Sequence, residues 1–426
     1  MKKTIKLALV AAMALGTTSV FATNGSNLIG IGAKARSMGG AAIGIAHGAQ
    51  SGLSNPALIT KIDTEFETSF GGTLFMPDVK NKNQMDFQSM GNLTTSGDSD
   101  ANINVIPNIG VAAKITDELY MGIGMWGTAG MGTDYDGAGN KGQMQMSTTL
   151  QLMQFGVPIA YETSGFSIGI TPLLQYGSLD IDYVMPSEMQ GAMYYQQTGT
   201  PPTPGMFHPE GIGHGSQQDL KFGYNVGLAY EIDGLTLGAI YKSQIDMKYD
   251  GVLQKTMSPM SAVPYTNDKL STPEEIGLGV SYNLGNHTVA IDYKRINWSD
   301  AKGYEDFEWR DQNVFIIGYQ YATDKWALRA GFNYAKSPIE EKSLAYMNSA
   351  GLSGGVVNTM NLLGFPAITE SHYTLGGSYV FSEKVSVDLA MMYAPEQEET
   401  YMNFVGQAIH TSHSQTSASL ALNYKF

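Results

Sequence analysis

The sequence contains no cysteine. A disulfide framework is thereby excluded, and a secreted chain of this kind must draw its stability from extended strand pairing or a large core. It also lacks an apolar run of the roughly 20 residues that a membrane-spanning helix needs. Positive charge is scarce: 25 Lys and Arg stand against 39 Asp and Glu, a formal net charge of −14. That balance argues against nucleic acid or anionic phospholipid as a partner.

The first 22 residues carry Lys2, Lys3 and Lys6, then an apolar run, then Val20-Phe21-Ala22. This is the layout of a secretory signal peptide cut after Ala22, and its short basic start points to the bacterial periplasm or outer membrane. Without the three leader lysines, 22 basic residues face 39 acidic ones, a net of −17.

What the chain has in abundance is glycine, at 50 residues, with 24 Tyr and 24 Met. Residues 23–60 are rich in Gly, Ala and Ser and keep neither a period of two nor a helical stripe, so they read as a compact irregular unit. From Asp63 to the last residue, apolar side chains recur at every second position. The closing stretch SASLALNYKF is typical: Ala418, Leu420, Leu422, Tyr424 and Phe426 share one face of a strand, and Ser417, Ser419, Ala421, Asn423 and Lys425 the other. A soluble β-sandwich alternates in the same way. The connections decide between them. Very short turns (ITDEL, ETSG, EIDG, LGNH, ATDK, FSEK) alternate with long polar segments near 77–100, 129–142, 186–218, 251–273, 335–367 and 398–411. Short turns at one end and long loops at the other mark an outer-membrane barrel, here of about 14 strands.

The expected fold is therefore all-β: a transmembrane antiparallel β-barrel over residues 61–426, preceded by the leader 1–22 and an N-terminal hatch at 23–60 that plugs the lumen. A barrel of this size is too wide for side chains alone to fill. Its greasy face meets lipid, and the terminal Phe426 suits recognition by the barrel-assembly machinery.

At SGLSNPALITKID the chain resembles a known family. Asn55-Pro56-Ala57, just ahead of the first strand, is similar to the hatch motif of FadL-type outer-membrane transporters of long-chain fatty acids and other hydrophobic compounds. GIGAKARSMGGA, GMGTDYDG, YEIDGLTLGAIYKSQIDMKYDG, STPEEIGLGVSY, WALRAGFNYAKSPI and SHSQTSASLALNYKF extend the resemblance over nearly the whole mature chain. It implies a fourteen-strand barrel, a hatch on the periplasmic side, capture of an apolar ligand by the long loops, and sideways exit at a kink in the third strand beside the hatch. On this sequence the third strand is ELYMGIGMWGTAG, with Gly122, Gly124 and Gly127 as the lateral gate. The same glycines match a dinucleotide fingerprint by letter only, because no helix opens after them.

The loops offer MPSEMQGAMYYQQ, TMSPMSAVPY and AYMNSAGLSGGVVNTMNLLGF as adaptable thioether and aromatic surface. A fatty-acid carboxylate calls for a cation in the lumen. Parity turns Lys221, Lys242, Lys294, Arg310 and Arg329 inward. The expected ligand-binding residues are Arg310, where the family often carries a basic residue, then Lys242 and Arg329. Each could instead pair with a wall carboxylate such as Glu231, Asp292 or Asp388. The resemblance implies long-chain fatty acids as the ligand; the fifth strand departs from it, carrying Asp180 and Asp182 and no basic residue where fatty-acid members tend to have arginine, which keeps a neutral aromatic or alkane ligand as the alternative. A hydrolase built on His410 and His413, a metal site on the same pair, and an open hydrophilic porin are weaker alternatives. No cofactor, metal or nucleic acid is expected.

Overall fold

The computed structural model describes residues 23–426, so the expected leader lies outside the described residues. Fourteen strands form the wall: β1 (Phe66–Asn83), β2 (Asn104–Lys114), β3 (Leu119–Asp134), β4 in two pieces (Ser147–Gly156 and Ile159–Thr163), β5 (Phe166–Met185), β6 (Gln217–Ile232), β7 (Leu235–Lys242), β8 (Glu275–Leu284), β9 (His287–Ile296), β10 (Gln312–Ala322), β11 (Trp326–Ala335), β12 (Ser371–Val380), β13 (Val385–Met402) and β14 (Ala408–Lys425). All neighbours are antiparallel. β14 closes on β1 from Lys425↔Glu67 to Ile409↔Asn83, which leaves no open edge and satisfies the rule that strands cross hydrocarbon only in a closed barrel.

The wall is inside out. Phe222, Leu375 and Met391 are 85%, 66% and 71% exposed on the outer face, while Asn225, Ser281, Asp292, His372 and Asp388 are buried on the inner one. Leu420 and Leu422 face outward and Ser417, Ser419 and Asn423 inward, as the closing stretch of sequence requires. Tight turns end the strands on one side. Ser164-Gly165 and Asp233-Gly234 both take positive φ, the two-residue geometry that matches strand twist.

On the other side the loops depart from expectation, first where β3 runs on to Asp134 and so takes up part of the segment expected as loop at 129–142. β1 runs on to Asn83, and β13 and β14 leave only residues 403–407 between them, so segments expected as loops at 77–100 and 398–411 are partly wall. A further connection, residues 297–311, joins β9 to β10 and brings in Trp298, Tyr304 and Trp309. Between the loops and the lumen these rings stack with centroids 4.6–5.0 Å apart, within a large buried cluster that includes Met131, Tyr183, Met360 and Leu363.

Residues 23–62 are buried almost throughout and lie against inward positions of the wall. They hold a short helix, α1 (Ala33–Ser37), and two 3₁₀ turns, Gln50–Leu53 and Pro56–Lys61. Contact is backbone to backbone at inward glycines. A Cβ on Gly238 would stand 1.9 Å from Ile43 O, one on Gly331 2.1 Å from Gly39 N, and one on Gly279 2.4 Å from Gly44 N. Asp292 of β9 accepts from the Ala42, Ile43 and Gly44 N–H groups at 2.7, 2.8 and 3.3 Å. Asn55 caps the second 3₁₀ turn by accepting from Ala57 N–H (3.1 Å), and its amide donates to Ile43 O (2.8 Å) and to Leu228 O of β6 (3.2 Å). Pro56 begins that turn with its φ already set, and Ala57 is fully buried where Gly169 and Gly227 bring the wall backbone close.

Candidate functional site

The long loops converge on a groove of 630 Å³ at the barrel mouth. Met189, Met193 and Tyr195 come from the loop after β5, Pro259 and Met260 from the loop after β7, and Val356 from the loop after β11. These are the three Met-rich stretches singled out in the sequence. Phe87 and Met90, and Phe404 and Val405, complete the lining from loops that composition did not mark. Asp86 is the one fully charged residue on it.

Deeper in the lumen, a cavity of 60 Å³ lies between residues 27–31 and 40–43 on one side and the wall on the other. Lys242 and Lys294 border it, and both lean on one carboxylate, Glu275 Oε2, at 3.3 and 3.6 Å. Asn27 donates its side-chain amide to the other oxygen, Oε1, at 2.9 Å. Asp292 also borders the cavity, with its oxygens already taken by the three N–H groups of residues 42–44.

The third strand is irregular next to this cavity. The β2–β3 ladder runs from Lys114↔Tyr120 to Asn108↔Trp126 and stops. Against β4, the register of β3 slips between Gly127 and Ala129, a bulge at Thr128. Just beyond, the N-terminal segment takes up bonding to β3: Asn27 pairs with Ala129, and Gly130 N–H donates to Ser26 O at 3.1 Å. Above this segment sits the aromatic group of the 297–311 loop. Tyr304 shares a hydrogen bond with Ser26 (3.1 Å), and Gly25, at φ +66°, leaves space for the Trp298 ring, which a Cβ there would meet at 2.6 Å.

The expected gate glycines divide between two settings. Gly122 and Gly124 stand in the regular part of the ladder, opposite Ala112 and Gly110. A Cβ on Gly122 would meet Val111 O at 2.3 Å and one on Gly124 would meet Leu53 at 2.2 Å. Gly127 adjoins the bulge itself. Asn55 and Pro56 touch Gly227 and Gly169 of β6 and β5, two to three strands along the wall from Gly124 of β3, which Leu53 faces.

The expected cations also separate. Lys242 borders the inner cavity and Lys294 joins it there. Arg310 belongs to the 297–311 loop, where its guanidinium pairs with Glu340 and its N–H donates to Pro338 O at 2.8 Å; it lines neither cavity. Strand parity failed at Arg310 because β10 begins only at Gln312. In the same cluster the Tyr346 hydroxyl donates to Glu308 at 2.5 Å, a bond that pushes its pKa up to about 12. Arg329 is inward but sits by α1, bonded to Gln320 (2.6 Å) and Ser378 (2.7 Å). Lys221 keeps inward parity yet is exposed and paired with Asp219 at 3.4 Å. Glu231 takes Lys61 at 3.0 Å, and Asp388 lies 4.0 Å from Lys34. Asp180 and Asp182 alternate with the buried Leu179, Ile181 and Tyr183, so they face away from the lumen and bear on no lumen ligand. His410 bonds Thr400 Oγ1 (2.9 Å) on the outer face, and His413 bonds Pro366 O (2.8 Å) on the inner one. On a strand a spacing of three puts side chains on opposite faces, so the two do not converge.

Residues 8–346 match the family described as outer membrane protein transport proteins (OMPP1/FadL/TodX). The long-chain fatty acid transport protein of Escherichia coli O6:H1 is 26% identical over 471 aligned positions, covering 99% of this chain and 98% of its own length. Outer membrane protein P1 of Haemophilus influenzae is 24% identical, with 82% and 81% covered. Among solved structures, a Pseudomonas aeruginosa FadL homologue aligns with TM-score 0.69 at 15% identity, over 94% of this chain and 100% of the other. The Pseudomonas putida toluene transporter TodX aligns with TM-score 0.64 at 21% identity, over 95% and 100%. The two structures share this barrel fold.

Proposed function

This chain belongs to the outer membrane transport proteins of the OMPP1/FadL/TodX family, and from that premise we propose that it takes up long-chain fatty acids. Residues 23–62 serve as the plug. The mouth groove receives the alkyl chain first, since its thioethers and rings adapt to a flexible apolar ligand and its 630 Å³ suits one of that size.

The observation that carries the reading is the pair Lys242 and Lys294 around the single carboxylate of Glu275. The two ammonium groups hold more N–H donors than Glu275 can accept. A fatty-acid carboxylate meets those spare donors at the bottom of its route, whereas burying it unpartnered costs several kcal/mol. The 60 Å³ cavity has room for a few waters and not for an alkyl chain, so the ligand must shift the segment Asn27–Ile31 to enter. Asn27 couples that shift to the wall, because its amide holds Glu275 and its backbone pairs with Ala129 at the bulge. Release of this residue opens a sideways exit where β2 has left β3.

A second reading, uptake of a neutral aromatic or alkane hydrocarbon by the same route, is favoured by one feature: no lysine or arginine lines the mouth groove. The two readings part in a paired uptake assay on cells expressing this chain, with oleate against a neutral hydrocarbon of similar length. Preferential uptake of oleate supports the first, and equal uptake of both removes it.

A further inference from the structure

Arg36 of α1 is 1% exposed, and among the described residues it has no carboxylate partner. Its guanidinium donates to Ser417 Oγ at 2.9 Å and to Gly30 O at 3.4 Å, and Nε has no bond. Desolvation lowers its pKa to about 10, which leaves it charged at neutral pH. Above it, across consecutive strands, inward side chains form one polar row: Asn333 opposite His372, then Ala394 opposite Gln415. The small Ala394 lets His372 and Gln415 face one another. His372 is fully buried with neither ring nitrogen bonded, and Asn333 Oδ1 and Gln415 Oε1 are also unbonded. The Arg36 Nε–H and one N–H of the neutral His372 ring are donors that an anion can satisfy, and a buried guanidinium without such a partner is costly; the free oxygens of Asn333 and Gln415 are acceptors and bind no anion. Gly30, whose carbonyl Arg36 holds, is also part of the inner cavity wall.

We propose that Arg36 and His372 form a second carboxylate station, which a fatty-acid head group occupies after it leaves Lys242 and Lys294 and displaces residues 29–31. The station rests on the fatty-acid reading. Arg36 supplies the charge in a bidentate geometry, and His372 supplies a neutral N–H donor. Small halide ions fit the same donors, which gives a direct probe.

The test compares uptake of oleate and of oleyl alcohol, its neutral analogue, through the full-length barrel and through Arg36→Gln and Arg36→Lys variants that retain heat-modifiable folding. The station predicts that Arg36→Gln slows oleate uptake about tenfold or more, the loss of one charge-assisted bond. It predicts no change for oleyl alcohol and partial rescue by Arg36→Lys. Oleate preferred by the wild type but unaffected by Arg36→Gln overturns the station alone. No preference in the wild type overturns the fatty-acid reading and the station with it. Bromide soaked into wild-type crystals gives an anomalous peak within roughly 3.5 Å of Arg36; its absence also counts against the site, whatever the variants do.

Discussion

Asn27 and Glu275 stand 248 positions apart in the chain and are joined by a 2.9 Å hydrogen bond from amide to buried carboxylate. Because the Asn27 backbone also pairs with Ala129, this one residue ties the inner cavity to the irregular third strand. Asn27→Ala removes a bond to a charged acceptor, worth about 1.5–3 kcal/mol. We expect residues 27–31 to leave the inner cavity more often, raising the open probability of the purified barrel in single-channel recordings about tenfold or more. Unaltered conductance would show that the bond does not restrain the segment.

Asp292 ties the N-terminal segment to the wall, with the backbone N–H groups of residues 42–44 directed at it. Asp292→Ala leaves those donors buried and unpaired, at a cost of about 1–3 kcal/mol each. Hydrogen exchange should quicken at residues 42–44 while the wall strands stay protected. Uniform acceleration across wall and plug would mean that Asp292 supports the barrel rather than the plug.

The bulge at Thr128 can be removed by deleting that residue, which restores the β3–β4 register on either side of it. If ligand leaves here, the deletion cuts uptake of a hydrophobic substrate several-fold while groove binding and heat-modifiable folding persist. Replacing Gly122 tests something else: a Cβ there strikes Val111 O in the regular ladder, so bulky residues should impair assembly itself. Normal uptake by a folded Thr128 deletion would place the exit elsewhere.

His47 is expected to make the seating of the N-terminal segment pH-dependent. Its ring is buried, donates to Ala41 O at 2.7 Å, and burial lowers its pKa from 6.5 to about 4. A histidine whose folded pKa is depressed contributes nothing adverse above about 6.5 and destabilises progressively as pH falls towards 4, by about 3 kcal/mol in full. Conductance should therefore rise as pH drops through this window, and His47→Gln should remove most of the rise. The same rise in the variant would assign it to other groups.

The barrel was legible in the sequence because hydrocarbon imposes a strict period of two on every strand that crosses it. The period fades where strands leave the membrane. Asp78, Lys80 and Lys82 on β1 and Glu396 and Glu398 on β13 point outward into water, so both faces are polar and the residues resemble loop. The 297–311 connection was hidden for the opposite reason, since Trp298, Tyr304, Phe307 and Trp309 give it the composition of a strand. The mouth groove was half legible, through its methionines. The inner cavity was not, because Glu275, Lys242, Lys294 and Asn27 meet only when the barrel closes around the N-terminal segment. Arg310 illustrates the limit of parity: two residues before a strand begins, facing has no meaning.

On the proposed route Lys242 and Lys294 together hold the ligand's carboxylate. The most direct test of that hold is the equilibrium binding of oleate and of oleyl alcohol to the purified barrel and to the Lys242→Met/Lys294→Met double variant, a change that keeps side-chain length and removes the charge. Wild type should prefer oleate, and the double variant should lose about tenfold or more in oleate affinity with little change for the alcohol. Equal affinities for the two ligands in the wild type, unmoved by the substitutions, would contradict it and leave the neutral-hydrocarbon reading.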